Sequence, residues 1–329
     1  MNDVRLSEPL PSYEVVANVS EGRDPAILAV FTAVVAGSPG VRLLDVHHDA
    51  DHDRSVYTCV GDGDALSLAT RALARLAVAT IDLTSPQKSG AGRGVHPRIG
   101  AIDVIPFVPL GPDGSERGAV VIARALARAL AADLNLSVHL YGAAARSAAR
   151  AALPDIRRGG FESLAERQAQ PDGEPDEGPA VPHPTAGAVA VGVRPIMAAW
   201  NIQLIGAPEP KLLDVARALA TQLRATNPGG VPGLQALGFP LPSINGAQLS
   251  MNLHDVIGAA SHGVTLHAIR ARAHEAAQQL NVQLGETEIV GLIPELALRA
   301  GGNPLQLMIR GEWERATLEY ALREGGNQR

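Results

Sequence analysis

The stretch Tyr13-Glu14-Val15-Val16-Ala17-Asn18, followed by Asp24-Pro25-Ala26-Ile27-Leu28-Ala29-Val30-Phe31-Thr32-Ala33-Val34-Val35-Ala36-Gly37, changes its period in a way that decides the fold. Its first part is short and rich in β-branched residues, which predicts a strand. Asp24 is suited to accept from the unbonded N–H groups of a helix start, and Pro25 fits the first helical position, where its missing N–H has no partner to lose. Ile27, Val30, Phe31 and Val34 then recur at helical spacing as far as Gly37, a C-terminal stop. Two β-rich segments follow, 41–46 and 55–60, joined by a polar turn from His47 to Arg54. A second helix carries Leu66, Ala69, Leu73 and Leu76 on one face. Next come an apolar strand over 101–109, a helix over 116–132 with Arg124 and Arg128 one turn apart, and a strand over 137–141.

Residues 165–184 are rich in Pro, Gly, Asp and Glu and have no periodicity, so composition reads them as a linker. Beyond them the same order returns. Strands are predicted over 186–193 and 196–204, then a helix with Leu212, Ala216, Leu219 and Leu223. Strands at 234–239 and 246–253 follow, then a helix with Leu266, Ile269, Ala273 and Leu280. A strand over 288–292 and an amphipathic helix over 313–322 complete the chain. The division falls into residues 1–185 and 186–329. The strand pairs fit an α+β fold of two similar units, with antiparallel sheets and helices on one face, better than a doubly wound parallel sheet.

A chain of 329 residues with 46% hydrophobic residues has room for two ordinary cores. Aromatics are only 3%, so those cores must come from Ala, Val, Leu and Ile. The net charge of −6 argues against nucleic acid or an anionic membrane as the main partner. Cys59 is the lone cysteine, which excludes an internal disulfide and a Cys-based zinc site and fits a reducing cytoplasm. Neither a leader-like N-terminus nor a run of the roughly 20 apolar residues that span a bilayer is visible, giving the expectation of a cytoplasmic protein.

Chemistry concentrates in Gly94-Val95-His96-Pro97-Arg98-Ile99-Gly100, at the end of a glycine-rich stretch that begins at Gly90. A histidine exchanges protons near neutral pH, Pro97 sets the chain direction after it, and Arg98 offers a forked cation to an acidic ligand. A second polar cluster, His47-His48-Asp49-Ala50-Asp51-His52-Asp53, carries three histidines and three carboxylates. Its spacing matches no ordered metal motif and no distant His/Glu pair completes it, so a polar loop lining a ligand groove is the expectation and no metal is assigned.

Several segments occur together in order: Asn18-Val19-Ser20-Glu21-Gly22-Arg23, Asp51-His52-Asp53-Arg54-Ser55-Val56, Gly94 to Ala101, Val104-Ile105-Pro106-Phe107-Val108-Pro109, Leu140-Tyr141-Gly142, Leu153-Pro154-Asp155-Ile156-Arg157, His183-Pro184-Thr185-Ala186-Gly187-Ala188, Val191-Gly192-Val193-Arg194 and Asn201-Ile202-Gln203-Leu204. With them the chain resembles the glutamate formimidoyltransferase family, the transferase half of formimidoyltransferase-cyclodeaminase, from about residue 13 to about residue 300. The resemblance implies transfer of a formimino group from N-formimino-L-glutamate to N5 of tetrahydrofolate in histidine breakdown, with a 5-formyltetrahydrofolate/glutamate couple as the alternative. It also implies two ferredoxin-like subdomains flanking a folate groove, a homodimer and no metal. It carries the catalytic histidine onto His96. The folate-contacting stretch falls on Gly178, Pro179, Ala180, Val181, Pro182, His183, Pro184, Thr185, Ala186 and Gly187, which makes that segment groove wall in place of linker. Arg23, Arg54 and Arg98 stand in the implied groove loops and are candidates for the carboxylates of folate and donor.

The chain departs from the family pattern at definite places. Val95 stands where glutamate is usual, Asp53 where asparagine is usual, and His47 where an acidic residue is often proposed to assist. A short insertion, roughly residues 86–93, lengthens the loop before His96. Two competing readings follow: a folate-binding protein that has lost turnover, and a metal-dependent hydrolase using His47, His48 and His52.

Overall fold

The computed structural model describes residues 11–111, 113–325 and 327–328. They form two compact units, which divide between Arg194 and Pro195, with Gln328 grouped in the first.

The first unit opens with β1 (Tyr13–Val19), α1 (Pro25–Ala36), β2 (Val41–Asp49), β3 (Arg54–Gly61), α2 (Gly63–Thr80) and β4 (Ile102–Pro109). β3 pairs antiparallel with β1 and β2, and β1 antiparallel with β4, giving the order β2-β3-β1-β4 of a split βαβ, or ferredoxin-like, unit. Asp24 caps α1 by accepting from the N–H groups of Ala26 and Ile27. The buried face of α1 is Leu28, Phe31 and Val35, not the expected set: Val30 is 52% exposed. Because α1 is apolar nearly all round, its periodicity marks a helix without marking its inward side.

α3 (Glu116–Leu134), β5 (Ser137–Gly142), the short α4 (Leu153–Ile156) and α5 (Leu164–Gln168), and β6 (Ala188–Val193) extend this unit. β6 lies between β4 and β5 and runs parallel to both, so the first sheet is mixed where antiparallel pairing was expected. All six residues of β6, Ala-Val-Ala-Val-Gly-Val, are buried. A strand covered on both faces needs no polar alternation, which is why its sequence does not announce its neighbours. The boundary expected at 185/186 consequently falls at 194/195. Nor are residues 165–184 a loose linker: Gln168 and Asp176 are buried, and just before them Ile156 and Leu164 pack with Ile99, Val104, Tyr141 and Ala190. The other sheet face is covered by α1–α3, whose Leu66, Leu73, Ala123, Leu126 and Leu130 meet Val15, Val19, Tyr57 and Phe107.

The second unit holds β7 (Ala198–Ile205), α6 (Glu209–Leu223), β8 (Leu234–Leu241), β9 (Gly246–Leu253), α7 (Val256–Ser261), α8 (Leu266–Gln279) and β10 (Gln283–Ile289). Its sheet is wholly antiparallel in the order β10-β7-β9-β8, the same split βαβ arrangement. β10 begins earlier than the strand expected at 288–292, because its polar residues Gln283, Glu286 and Glu288 alternate with inward Leu284, Thr287 and Ile289. The helix expected over 313–322 is broken. Trp313–Ala316 forms a 3-10 turn, Thr317 is extended, and its hydroxyl caps a new helix, Leu318–Glu324. A two-residue strand, Asn327–Gln328, lies beside β2 in the first sheet. Among the described residues no helix is long and apolar enough to cross a membrane; the N-terminal residues 1–10, read above for a leader, lie outside them.

Candidate active site

The loops that carry the candidate residues all belong to the first unit. They leave the ends of β1, β2 and α2 and meet on the segment before β4. Ser20 donates from its amide to Ala101 O and from its hydroxyl to Gly100 O, and Val95 donates its amide to Asp51 O. Gly94 allows this approach, since a Cβ there would stand 2.2 Å from the carbonyl oxygen of His52.

His96 sits in this junction. Its Nδ1 lies 2.8 Å from the carbonyl oxygen of Pro97. A carbonyl only accepts, so Nδ1 carries the proton in the neutral ring and Nε2 carries the lone pair. Burial lowers the imidazole pKa well below 6.5, and the positive charges of Arg54 and Arg157, with the neighbouring His52, push in the same direction. The His52 ring lies 5.5 Å away, tilted by 41°.

Arg54 is buried. Its guanidinium donates to Asn18 Oδ1 (2.9 Å), to the same Pro97 carbonyl (3.1 Å) and to Asp103 Oδ2 (2.5 Å). Asp103 is completely buried, accepts from the Ile99 amide (2.9 Å), and also holds Arg157 at 2.5 Å. Burial alone would raise its carboxyl, but Arg157, Arg54 and the Ile99 amide together hold it below the ordinary carboxylate value.

A second charged cluster joins the glycine-rich loop to the β2–β3 turn. Lys88 Nζ lies 2.8 Å from Glu21 Oε2 and 2.6 Å from Asp53 Oδ1, with all three residues buried. Asp53 has a left-handed backbone (φ 49°) and also accepts from the Gly22 amide. Lys88, from the loop before His96, thus sets one amine against the two buried carboxylates of Glu21 and Asp53.

The segment 178–187 is pinned at both ends. Ser137 donates its hydroxyl to Pro179 O (2.7 Å) and Val138 its amide to Glu177 O. At the other end Leu83 donates to Thr185 O, Ala101 to Ala186 O and Ala188 to Ile99 O. His183 and Gly187 exchange both backbone hydrogen bonds, and His183 Nδ1 accepts from the Ala186 amide. Between the ends, Val181 is 74% exposed. The segment thus lies against the strand start that follows His96.

The candidate arginines differ in environment. Arg98 is buried, bonded to the Lys88 carbonyl, 3.2 Å from Glu162, and set over the Phe161 ring. Arg23 donates to the carbonyls of Ala50, Gln87 and Gly92, and its side chain is the most open of the three at 38%. His47 and His48 belong to β2 and not to the turn. As consecutive strand residues they point to opposite faces, and among the described residues no group of three or more His, Cys, Asp or Glu side chains gathers to hold a metal. Sequence reading missed Asp103, Arg157, Lys88 and Glu21 as parts of the site. Asp103 carried a signal of its own, a lone carboxylate inside an otherwise apolar strand, and Glu21 and Arg157 stand in segments that carried the resemblance.

The structure thus carries a histidine loop on a ferredoxin-like unit extended by β5 and β6, and a second ferredoxin-like unit after it in the chain. Residues 12–194 match the domain described as "Formiminotransferase domain, N-terminal subdomain" and residues 199–305 the one described as "Formiminotransferase domain". The chain belongs to the formiminotransferase family. It is 34% identical over 285 residues to the glutamate formimidoyltransferase of Streptococcus pyogenes serotype M1, covering 87% of this chain and 90% of that protein. With the glutamate formimidoyltransferase of Thermoplasma acidophilum it shares 35% identity over 291 residues, 87% of this chain and 89% of that one. It is 36% identical over 286 residues to mouse formimidoyltransferase-cyclodeaminase, of which it spans 50%.

Proposed function

We propose that the chain transfers the formimino group of N-formimino-L-glutamate to N5 of tetrahydrofolate, giving 5-formiminotetrahydrofolate and L-glutamate, with His96 as general base. The observation that carries the reading is the Nδ1 contact to Pro97 O, which leaves Nε2 as the ring's acceptor nitrogen in a loop fastened to 185–188. N5 attacks the formimino carbon and gives its proton to Nε2. The imidazolium then returns that proton to the glutamate nitrogen as the carbon–nitrogen bond to glutamate breaks. A ring held neutral through the physiological range is always ready to accept, although its lowered pKa makes it a weaker base. Such a base supplies roughly 10²–10⁴ in rate, and positioning of two bound substrates much of the rest.

Tetrahydrofolate is a co-substrate in this reading. Residues 178–187 form the wall against its ring, with small side chains and exposed peptide groups, and Arg23, the most open of the candidate arginines, takes a carboxylate. The setting is histidine breakdown in the cytoplasm, as a homodimer. The test is a coupled assay with tetrahydrofolate and N-formimino-L-glutamate, run beside 5-formyltetrahydrofolate with glutamate. Turnover with the formimino donor, lost in His96→Ala while folate binding persists, is the expected result. Turnover with the formyl pair alone would move the reading to formyl transfer, and folate binding without turnover to a binding protein. Full activity in His96→Ala would remove the base assignment.

A further inference from the structure

Asp103 and Arg157 have no part in the reaction as drawn, yet they converge on it. A fully buried carboxylate at the start of β4 is surrounded by an otherwise apolar strand, where a hydrophobic side chain would satisfy the packing. It holds two guanidinium groups with one charge: Arg54 and Arg157 both lie 2.5 Å from Asp103 Oδ2. Burying two cations on one carboxylate leaves a surplus positive charge in a place shielded from water. Such a cluster is expensive to desolvate and contributes little stability over an apolar replacement. Its geometry leads to the imidazole. The nitrogen of Arg54 that meets Asp103 also donates to Pro97 O at 3.1 Å, and that oxygen is the acceptor for His96 Nδ1 at 2.8 Å.

We propose that Asp103 and Arg157 are positioning residues for His96: Asp103 holds Arg54 against the Pro97 carbonyl and so orients the acceptor of the ring proton, and Arg157, on the same carboxylate oxygen, sets a second cation in that network. The proposal rests on the reading of His96 as the base. The charged and titratable groups around the ring are Arg54 from β3, Arg157 from the turn after α4, His52 from the β2–β3 turn, and Asp103 from β4. Among them Arg54, Arg157 and His52 oppose protonation, after burial itself. Asp103 acts through the two arginines and Arg157 through its field, so neither needs to touch substrate.

The experiment follows the His96 ring resonances against pH by NMR in the full chain, assigned by their loss in His96→Asn. In the wild type the ring stays neutral with the proton on Nδ1 to well below pH 6.5. In Arg157→Gln the titration moves up toward 6.5, by about one pH unit, as expected when a nearby cation is removed. The acid limb of kcat/KM moves with it while KM for folate holds. Arg157→Lys, which keeps the charge, restores the wild-type titration, and Arg157→Met repeats the measurement where Gln is not tolerated. A folded Arg157→Gln or Arg157→Met protein whose His96 titrates as in the wild type overturns the proposal, as does an Arg157→Lys protein that titrates like Arg157→Gln. A wild type inert with every donor but showing the expected ring titrations would overturn the transfer reading alone.

Discussion

Lys88 is the residue that joins the buried carboxylates in the loops around His96. Burial alone would raise the Glu21 carboxyl, but the hydrogen bond from Lys88 and those from the Asp24 and Arg23 amides hold it below its ordinary value. Asp53 has the same amine 2.6 Å away. Removing one partner of a buried ionic group leaves the others uncompensated, at a cost of about 3–5 kcal/mol. Lys88→Met should therefore destabilise the protein by about that amount, and adding Asp53→Asn should return at least about 1 kcal/mol of it. Urea unfolding of the two single variants and the double variant gives the coupling; strict additivity would mean that Lys88 and Asp53 are energetically independent. None of this was legible in sequence, because Lys88 and Asp53 stand 35 positions apart and only the folded loops bring them together. His96, by contrast, was singled out by its glycine-rich neighbourhood, and the structure sets it beside arginines from two separate segments, Arg54 and Arg157.

At the scale of elements, α1 and β6 show what periodicity conveys and what it omits. The Asp24-Pro25 start of α1 was readable because capping is local chemistry. Its inward face was not, since Ile27, Leu28, Val30, Phe31, Val34 and Val35 offer more than one apolar stripe. The structure buries Phe31 completely and leaves Val30 at 52%. Phe31→Ala should cost about 3–5 kcal/mol and Val30→Ala less than about 0.5 kcal/mol, read from thermal melts of the two variants. Equal losses would mean that α1 packs by a different stripe. β6 was readable as a strand but not as part of the first sheet. Its partners β4 and β5 precede it by long connections, and a uniformly buried run looks the same in any parallel environment. The break at Thr317 follows from a local rule as well, because its hydroxyl caps a new helix and competes with continuing the old one.

Over the whole molecule, buried titratable groups of the first unit set opposing pH dependences. Burial pushes Glu14 up to about 7 against the weaker pull of Arg194. Its folded form keeps a proton that the unfolded chain loses, so its contribution is complete below the unfolded value of 4.5 and is lost as pH rises to about 7, an amount of about 3 kcal/mol. Burial, with Arg167 and Arg150, pushes His139 down to about 4. It stays neutral in the fold while the unfolded chain takes up a proton, so stability is complete above 6.5 and falls by about 3 kcal/mol as pH drops to about 4. His96 acts in the same direction as His139. Glu14 and His139 nearly cancel between pH 4.5 and 6.5, so Glu14→Gln should uncover the histidines. Its stability relative to wild type should rise by about 3 kcal/mol from pH 4.5 to 7.5, read by urea unfolding at both values; a difference independent of pH would contradict the buried, protonated Glu14. The sequence by itself determined the repeated β-α-β-β order, the capped helices and the histidine loop, because hydrophobic period, capping and turn chemistry act over a few residues. Tertiary structure alone decided that 188–193 completes the first sheet and that the division falls at 194/195. It also decided that Asp103, Arg157 and Lys88 belong to the site, because burial and pairing of charges depend on segments that meet only when the chain has folded.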